Sequence, residues 1–246
     1  MTQKTAAIVL AAGKGKRMKS DLPKVLHEIH GRPMIKVLLD TLATLKLDRT
    51  VVVIGHKGEE VQKALAGYPV QFAWQREQLG TGHAVMMTRE LMADFDGLTL
   101  VVVGDAPFLS VSSVKKLLDM HHATGAVATC LSMILPDPAQ YGRIVRDGTS
   151  DRLIDIIEFK DADEKVRRIN ELNSGIFCFD NRSLFSVIDR LDRGNAQQEY
   201  YLTDVVKIFN ANGLRVSVVP SDRPEEVLGV NSVEDLEDLA RKFPAR

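Results

Sequence analysis

The stretch Thr5–Lys24, TAAIVLAAGKGKRMKSDLPK, changes character at Gly13. The apolar run before it reads as a strand buried on both faces. After it, Lys14, Lys16, Arg17, Lys19 and Lys24 crowd into eleven positions around Gly13 and Gly15. Glycines accept positive φ and let a ligand approach the main chain closely. Successive backbone N–H groups in such a turn form an anion-binding concavity. Pro23 fixes φ immediately ahead of Lys24, which holds that lysine in place. Two familiar phosphate-binding patterns fail on spacing. The dinucleotide fingerprint G-x-G-x-x-G would require glycine where Met18 stands, and the P-loop G-x-x-x-x-G-K-[ST] fits nowhere in the stretch. What remains is a strand feeding a basic loop that suits an anion, against the plain alternative of a solvated basic turn.

Working outward, the runs 6–10, 50–54, 70–74, 98–103 and 126–134 are strand-like, and helical patterns lie between them. In 33–45, Met34, Val37, Leu38, Thr41, Leu42 and Leu45 recur at helical spacing, with Pro33 in the first turn. Segments 82–95 and 111–123 read as further helices. This rhythm predicts an α/β fold: a Rossmann-like, mostly parallel sheet covered on both faces, with ligands at the carboxyl ends of its strands. The second half differs. YGRIVRD and RLIDIIEF pair as a hairpin across GTSD, and ELNSGIFCFD is a long strand. Helices are expected around 183–191 and 201–212, and LRVSVV and EEVLGV as late strands. A last helix, SVEDLEDLARKF, has Ser232 as N-cap and Asp235 completing a box. The expected organisation is one domain over 1–230, a sheet core mainly in 1–110 with a partly β-rich substrate lobe mainly in 111–230. A closing helix over 231–246 follows.

Composition narrows the partners. The chain has 246 residues and a net charge of −1, so the basic loop is local and argues against a nucleic-acid or membrane-surface binder. Cys130 and Cys178 fall in strand-like runs and read as reduced, buried thiols, which suits the cytoplasm, against the alternative of a disulfide or metal pair. No apolar stretch approaches the ~20 residues of a membrane span.

Two further motifs carry chemistry. In VVVGDAPFL, Asp105 follows a buried strand at the same edge as the basic loop. A carboxylate there suits Mg²⁺, which takes one or two protein oxygens plus phosphate oxygens; a turn aspartate before Pro107 is the plain alternative. In WQREQLGTGHAV, Gly80 and Gly82 bracket Thr81, and Gln75 and Gln78 offer the paired donors and acceptors that reading a nucleobase edge requires. An ordinary helix start explains the same glycines. His83 reads as a packing residue with no catalytic role.

LAAGKGKRMKSDLPKVLHEIHGRPMI resembles the signature of nucleotide-sugar pyrophosphorylases. QLGTGHAV, GDAPFL, YGRIVRD, IIEFKDA, ELNSGIF, QQEYYLTDVV and VLGVNS follow in the family's order. The set is similar to the uridylyltransferase domains of bifunctional N-acetylglucosamine-1-phosphate uridylyltransferases. The resemblance implies the nucleotide-diphospho-sugar transferase fold, Mg²⁺ as cofactor, and UTP and a sugar 1-phosphate as substrates. It implies that Leu10, Ala11, Ala12 and Gly13 hold the nucleotide through the backbone, and that Gln75, Gly80 and Thr81 frame uracil. Arg17 and Lys24 would grip the triphosphate and, with Asp105, carry catalysis. Asp105 and Asn231 would bind the metal, and Gly104, Gly142, Glu158, Asn173 and Asn231 the sugar side. Two positions depart from the pattern: Val103 stands where tyrosine is common, and Lys16 where threonine is frequent. Other nucleotides or sugar phosphates, or a non-catalytic sensor of nucleotide sugars, stay open as alternatives. The bifunctional relatives carry a hexapeptide-repeat acetyltransferase domain. No such periodicity occurs here, so uridylyltransferase activity without acetyl-CoA chemistry is expected. The oligomeric state is not legible.

Overall fold

Alternation along the first strand decides where the core lies. In β1 (Thr5–Leu10), Ala6 and Ile8 enter one apolar cluster while Ala7 and Val9 enter another on the opposite face. All four are fully buried, so both faces of the sheet are covered, as the unbroken apolar runs require. The computed structural model describes residues 3–138 and 140–244.

After β1 come a short hairpin, β2 (Glu28–Ile29) and β3 (Arg32–Pro33), then α1 (Met34–Ala43) and β4 (Arg49–Ile54). There follow α2 (Gly58–Ala64), β5 (Gln71–Trp74), α3 (Thr81–Met86), α4 (Arg89–Met92) and β6 (Leu98–Val103). The second half contains α5 (Val111–Thr124), β7 (Ala128–Ile134), β8 (Arg143–Arg146), β9 (Leu153–Ile157) and α6 (Glu164–Arg167). It closes with β10 (Glu171–Asp180), α7 (Asn181–Val187), α8 (Val205–Ala211), β11 (Val216–Pro220) and α9 (Val233–Lys242).

The main sheet runs β11-β7-β10-β6-β1-β4-β5, with β8 and β9 joined at β10. β1 lies parallel between β4 and β6, and Leu10 pairs with both Val53 and Val103. From β1 the chain moves out to β4 and β5, then returns to β6 on the other side. Such a reversal opens a crevice at the carboxyl ends of the two strands. Here it lies between the loop after Leu10 and the loop after Val103.

The sheet is mostly parallel, as expected, with β10 antiparallel to both β6 and β7. Several other expectations change. The helix expected over 82–95 is two helices, parted at Met87 and Thr88, where the buried Thr88 hydroxyl donates to Val85 O (2.7 Å). EEVLGV is not a strand: residues Pro224–Val227 form a 3-10 turn. Pro224 has no N–H for a ladder. Glu226 is buried, accepting a bond from the Ser113 hydroxyl (3.1 Å) and pairing with Arg223 (2.8 Å). Pro33 precedes α1 as its cap, at ψ 133°, rather than lying inside the first turn. The 201–212 helix opens with a 3-10 turn at Leu202–Asp204 before α8.

The capping box expected at the last helix is present: Ser232 Oγ accepts from Asp235 N, and Asp235 reaches back. α9 docks through Leu239, with Leu236 and Phe243, on Met18, Ile29, Met34 and Phe108; Phe108 and Phe243 stack at 4.3 Å. Cys130 and Cys178 are free, buried, and on opposite faces of the sheet, which keeps the thiols apart. Among the described residues no helix is long and apolar enough to cross a membrane.

Candidate active site

The loop after β1 begins bound to its neighbours. Gly104 N donates to Leu10 O (2.9 Å), Ala11 N to Val53 O (2.9 Å) and His56 N to Ala12 O (3.2 Å). Those three backbone groups are thus used by the fold. Gly13 is exposed, with open space where a side chain would be. Gly15 has φ +58°, and a Cβ on it would meet Lys24 Cβ at 2.7 Å. Glycine there lets the Lys24 side chain run along the loop. Lys16–Met18 then wind into a single 3-10 turn, which leaves Arg17 exposed while Met18 is buried under α9.

Four of the predicted residues meet in the crevice. Lys24 Nζ donates to Asp105 Oδ2 in a close ion pair and to Asn231 Oδ1 (2.8 Å). Arg17 donates to the same Asn231 oxygen at 2.8 Å, across 214 positions of sequence. The Lys24 and Asp105 side chains are only 15% and 20% exposed, so this charge pair lies partly out of water. Val230 N bonds Asp105 O (2.9 Å), tying the segment that carries Asn231 to the end of β6. A carboxylate and an amide oxygen that share one ammonium also lie within reach of one small cation. Both are hard oxygen donors, and Mg²⁺ needs no more than two from protein when phosphates complete its shell. Asp105 and Asn231 therefore fit that ion. Among the described residues there is no cluster of three or more His, Cys, Asp or Glu that could hold a metal alone.

One flank is the loop before α3. Gln75 is buried, with its amide nitrogen donating to Gly80 O (2.9 Å) and set 3.1 Å from His83 Nδ1. Gln78 folds back onto Gln75 O (3.0 Å). Gly80 adopts φ +108°, ψ 175°, and a Cβ there would lie 2.5 Å from Tyr200 O. Tyr200 N bonds Leu79 O and Gly82 N bonds Tyr200 O, both at 2.8 Å, while Thr81 Oγ1 accepts from Leu202 N (3.0 Å). Leu79, Thr81 and Gly82 are thus stitched to residues 200–202, and Gln75 is tied to Gly80 within the same loop.

The other flank is built from β8, β9 and β10. A Cβ on Gly142 would meet the Glu158 carboxylate at 3.1 Å, and Gly142 O accepts from Asn173 N (2.9 Å). Thr203 donates to Glu158 Oε1 (3.3 Å). Burial pushes the Glu158 carboxyl up, and the nearby carboxylates of Asp161, Asp204 and Glu199 add to this against the Thr203 bond. Asn173 stands where the β10–β7 register shifts, ahead of Gly175 at φ +76°. Bulges re-aim side chains beside sites. Val103 Cγ1 lies 2.9 Å from where a Gly175 Cβ would be, and Gly104 packs on Leu10 O and Val25.

Sequence reasoning missed Tyr141. It is half-buried near Asp105 and Asp235, and its hydroxyl is pushed up to about 12 by burial and then by those two carboxylates. YGRIVRD contains it, but only the fold brings it near Asp105. Thr203 was missed for the same reason, and Asp235 was read only as a helix cap.

An α/β crevice with two cations on the first loop and a carboxylate on the neighbouring strand is that of a nucleotidyltransferase. The chain belongs to the MobA-like NTP transferase domain family, whose profile matches residues 7–171. It is 44% identical over 245 residues to the bifunctional protein GlmU of Listeria monocytogenes serotype 4b (strain CLIP80459), covering 99% of this chain and 53% of that one. It is 47% identical over 229 residues to the bifunctional protein GlmU of Heliobacterium modesticaldum (strain ATCC 51547 / Ice1), covering 93% and 50%. The chain thus spans about half the length of these curated relatives. A UDP-glucose pyrophosphorylase complexed with UDP-glucose superposes with a TM-score of 0.78 at 16% identity, over 97% of this chain and 98% of that one. At that identity the likeness establishes the fold, that of nucleotide-diphospho-sugar transferases.

Proposed function

We propose that the protein joins UTP to N-acetylglucosamine 1-phosphate, releasing pyrophosphate and forming UDP-N-acetylglucosamine. What supports this reading is the meeting of Arg17, Lys24, Asp105 and Asn231, with Gln75, Gly80 and Thr81 on one flank and Gly142, Glu158 and Asn173 on the other. A sugar 1-phosphate is already anionic near neutral pH and needs no general base. Its oxygen attacks the α-phosphorus of the nucleotide, and the bond to the β-phosphate breaks with its electron pair leaving on pyrophosphate. The obstacle is repulsion between two anions, so catalysis is positioning and charge stabilisation. Lys24 and Arg17 take up charge on the transferred and leaving groups. Mg²⁺, held by Asp105 and Asn231, would supply further neutralisation of phosphate oxygens. Gln75, Gly80 and Thr81 would frame uracil; Gly142, Glu158 and Asn173 would hold the amino sugar.

Val103 favours a second reading, a different sugar phosphate on the same machinery, because an aliphatic side chain faces Gly175 where a hydroxyl is common in the family. Pyrophosphate release measured across four nucleotides and several sugar phosphates decides. UTP with N-acetylglucosamine 1-phosphate is expected to give the highest kcat/KM. A higher value for glucose 1-phosphate would move the assignment to the second reading, and no release with any pair would overturn both.

A further inference from the structure

Asn231 carries two of the bonds that assemble the crevice, yet it belongs to none of the elements that form it. Arg17 and Lys24 ride on the loop after β1, and Asp105 on the end of β6. Asn231 lies between Val230 and the first turn of α9. Its backbone is anchored on one side by Val230 N to Asp105 O (2.9 Å). On the other side Asn231 N donates to Asp235 Oδ2 at 2.8 Å, and Ser232 N donates to the same oxygen at 3.0 Å. Asn231 Nδ2 donates to Gly229 O (3.1 Å), which fixes the amide and leaves its oxygen toward Arg17 and Lys24. A capping box usually spares two N–H groups at a helix start. Here one carboxylate oxygen gathers the N–H of Asn231 as well as the N–H of the cap. The helix behind it is docked on Met18 and Phe108, three residues or fewer from Arg17 and Asp105.

We propose that Asp235 is a positioning residue: it holds the Asn231 backbone so that the Asn231 side-chain oxygen stands beside Asp105 as a ligand for the nucleotide-bound cation. The inference rests on the proposed function, since that reading makes Asn231 a metal ligand. Ser232 supplies the control. Ser232→Ala removes the bond from Asp235 N to Ser232 Oγ (3.1 Å) and weakens the helix start, but leaves both bonds to Asp235 Oδ2. Asp235→Asn keeps an acceptor oxygen and removes only the charge. If the role is positioning, Asp235→Ala raises the Mg²⁺ concentration for half-maximal activity about tenfold, the scale for losing the partner of a metal ligand. Asp235→Asn recovers most of that, and Ser232→Ala moves it little at a similar fall in Tm.

The readout independent of turnover is Mn²⁺ binding in the presence of UTP, followed by electron paramagnetic resonance, and it should weaken in the same order. In an Asn231→Ala background, Asp235→Ala should add nothing. Equal effects of Ser232→Ala and Asp235→Ala would reduce Asp235 to a helix cap and overturn the proposal. No rescue by Asp235→Asn would overturn it in favour of the carboxylate's field. Should Asp235→Ala fail to fold, Asp235→Glu displaces the carboxylate by one methylene and reads the same comparison. If Asn231→Ala itself leaves metal dependence unchanged, the functional reading of Asn231 fails, and that outcome is separate from the others.

Discussion

At the scale of single residues, the crevice is a contest for two cations. Lys24 is shared by Asp105 and Asn231, and Arg17 is held by Asn231 alone among its described bonds. Triphosphate oxygens would compete for both. Arg17→Ala and Lys24→Ala should each lower kcat by ~10²-fold or more, the scale for one preorganised charge partner. Near-normal turnover in both would remove the mechanism. Folding should survive in Arg17→Ala, because the guanidinium is exposed. Lys24→Ala also leaves Asp105 partly buried without its ion pair, so some loss of Tm is expected there. Asp105→Ala and Asn231→Ala should both raise the Mg²⁺ requirement, Asp105 the more, because it alone brings a formal charge. A Mg²⁺ titration of each variant checks this ranking. Arg17, Lys24 and Asp105 were legible because their signals are local: a charge cluster beside glycine, a carboxylate closing a buried strand. Tyr141 and Asp235 carry no such signal, since a tyrosine or a helix-capping aspartate acquires its role only from what the fold sets beside it.

At the scale of elements, backbone constraint is concentrated where two segments are sewn together. Gly80 lies in a conformation essentially reserved for glycine, and its missing side chain leaves room for Tyr200 O and Glu199 Cβ. Gly80→Ala should destabilise the protein by about 1–3 kcal/mol for the backbone strain alone. It should also raise the KM for UTP, because the strained turn carries Thr81 and receives the Gln75 amide. Gly148→Ala is the control: φ is +59° but nothing stands in the way, so only the smaller strain is expected and UTP use is untouched. Equal KM values for the two variants would detach this loop from the base. The strands around β1 were readable because a strand buried on both faces needs an unbroken apolar run. The direction of β10 was not, since polarity is set by the connections and leaves no local pattern. The strand expected over EEVLGV is a turn instead, and the buried Glu226 with its Ser113 and Arg223 partners accounts for it. The bulge at Asn173 left only a glycine two positions on as its sign in the sequence.

At the scale of the whole molecule, the two flanks are joined through one segment. Residues 200–202 bind the Gly80–Gly82 turn, and Thr203 binds Glu158. The fold therefore holds a carboxyl in a place that disfavours its charge. Glu158 is partly buried, and burial raises its pKa from the ordinary value of 4.5. The folded protein thus keeps this proton to higher pH than the unfolded chain does. Its contribution favours folding at low pH and is lost as pH rises from the ordinary glutamate range through the raised value. Glu158→Gln abolishes that loss, so its Tm should match wild type near pH 4 and exceed it at pH 7. Each kcal/mol regained is worth about 2–4 °C for a chain of this size. Function should move the other way. If Glu158 binds the amino sugar, the variant should lose kcat/KM for N-acetylglucosamine 1-phosphate by about tenfold or more, as for a site deprived of a partner it was built to bond. The KM for UTP should stay within about twofold. Thermal melts at pH 4 and 7, run beside kinetics on both substrates, separate the two claims. A variant less stable than wild type at pH 7 would show that the Glu158 charge stabilises the fold. An unchanged sugar kcat/KM would take Glu158 out of the sugar site.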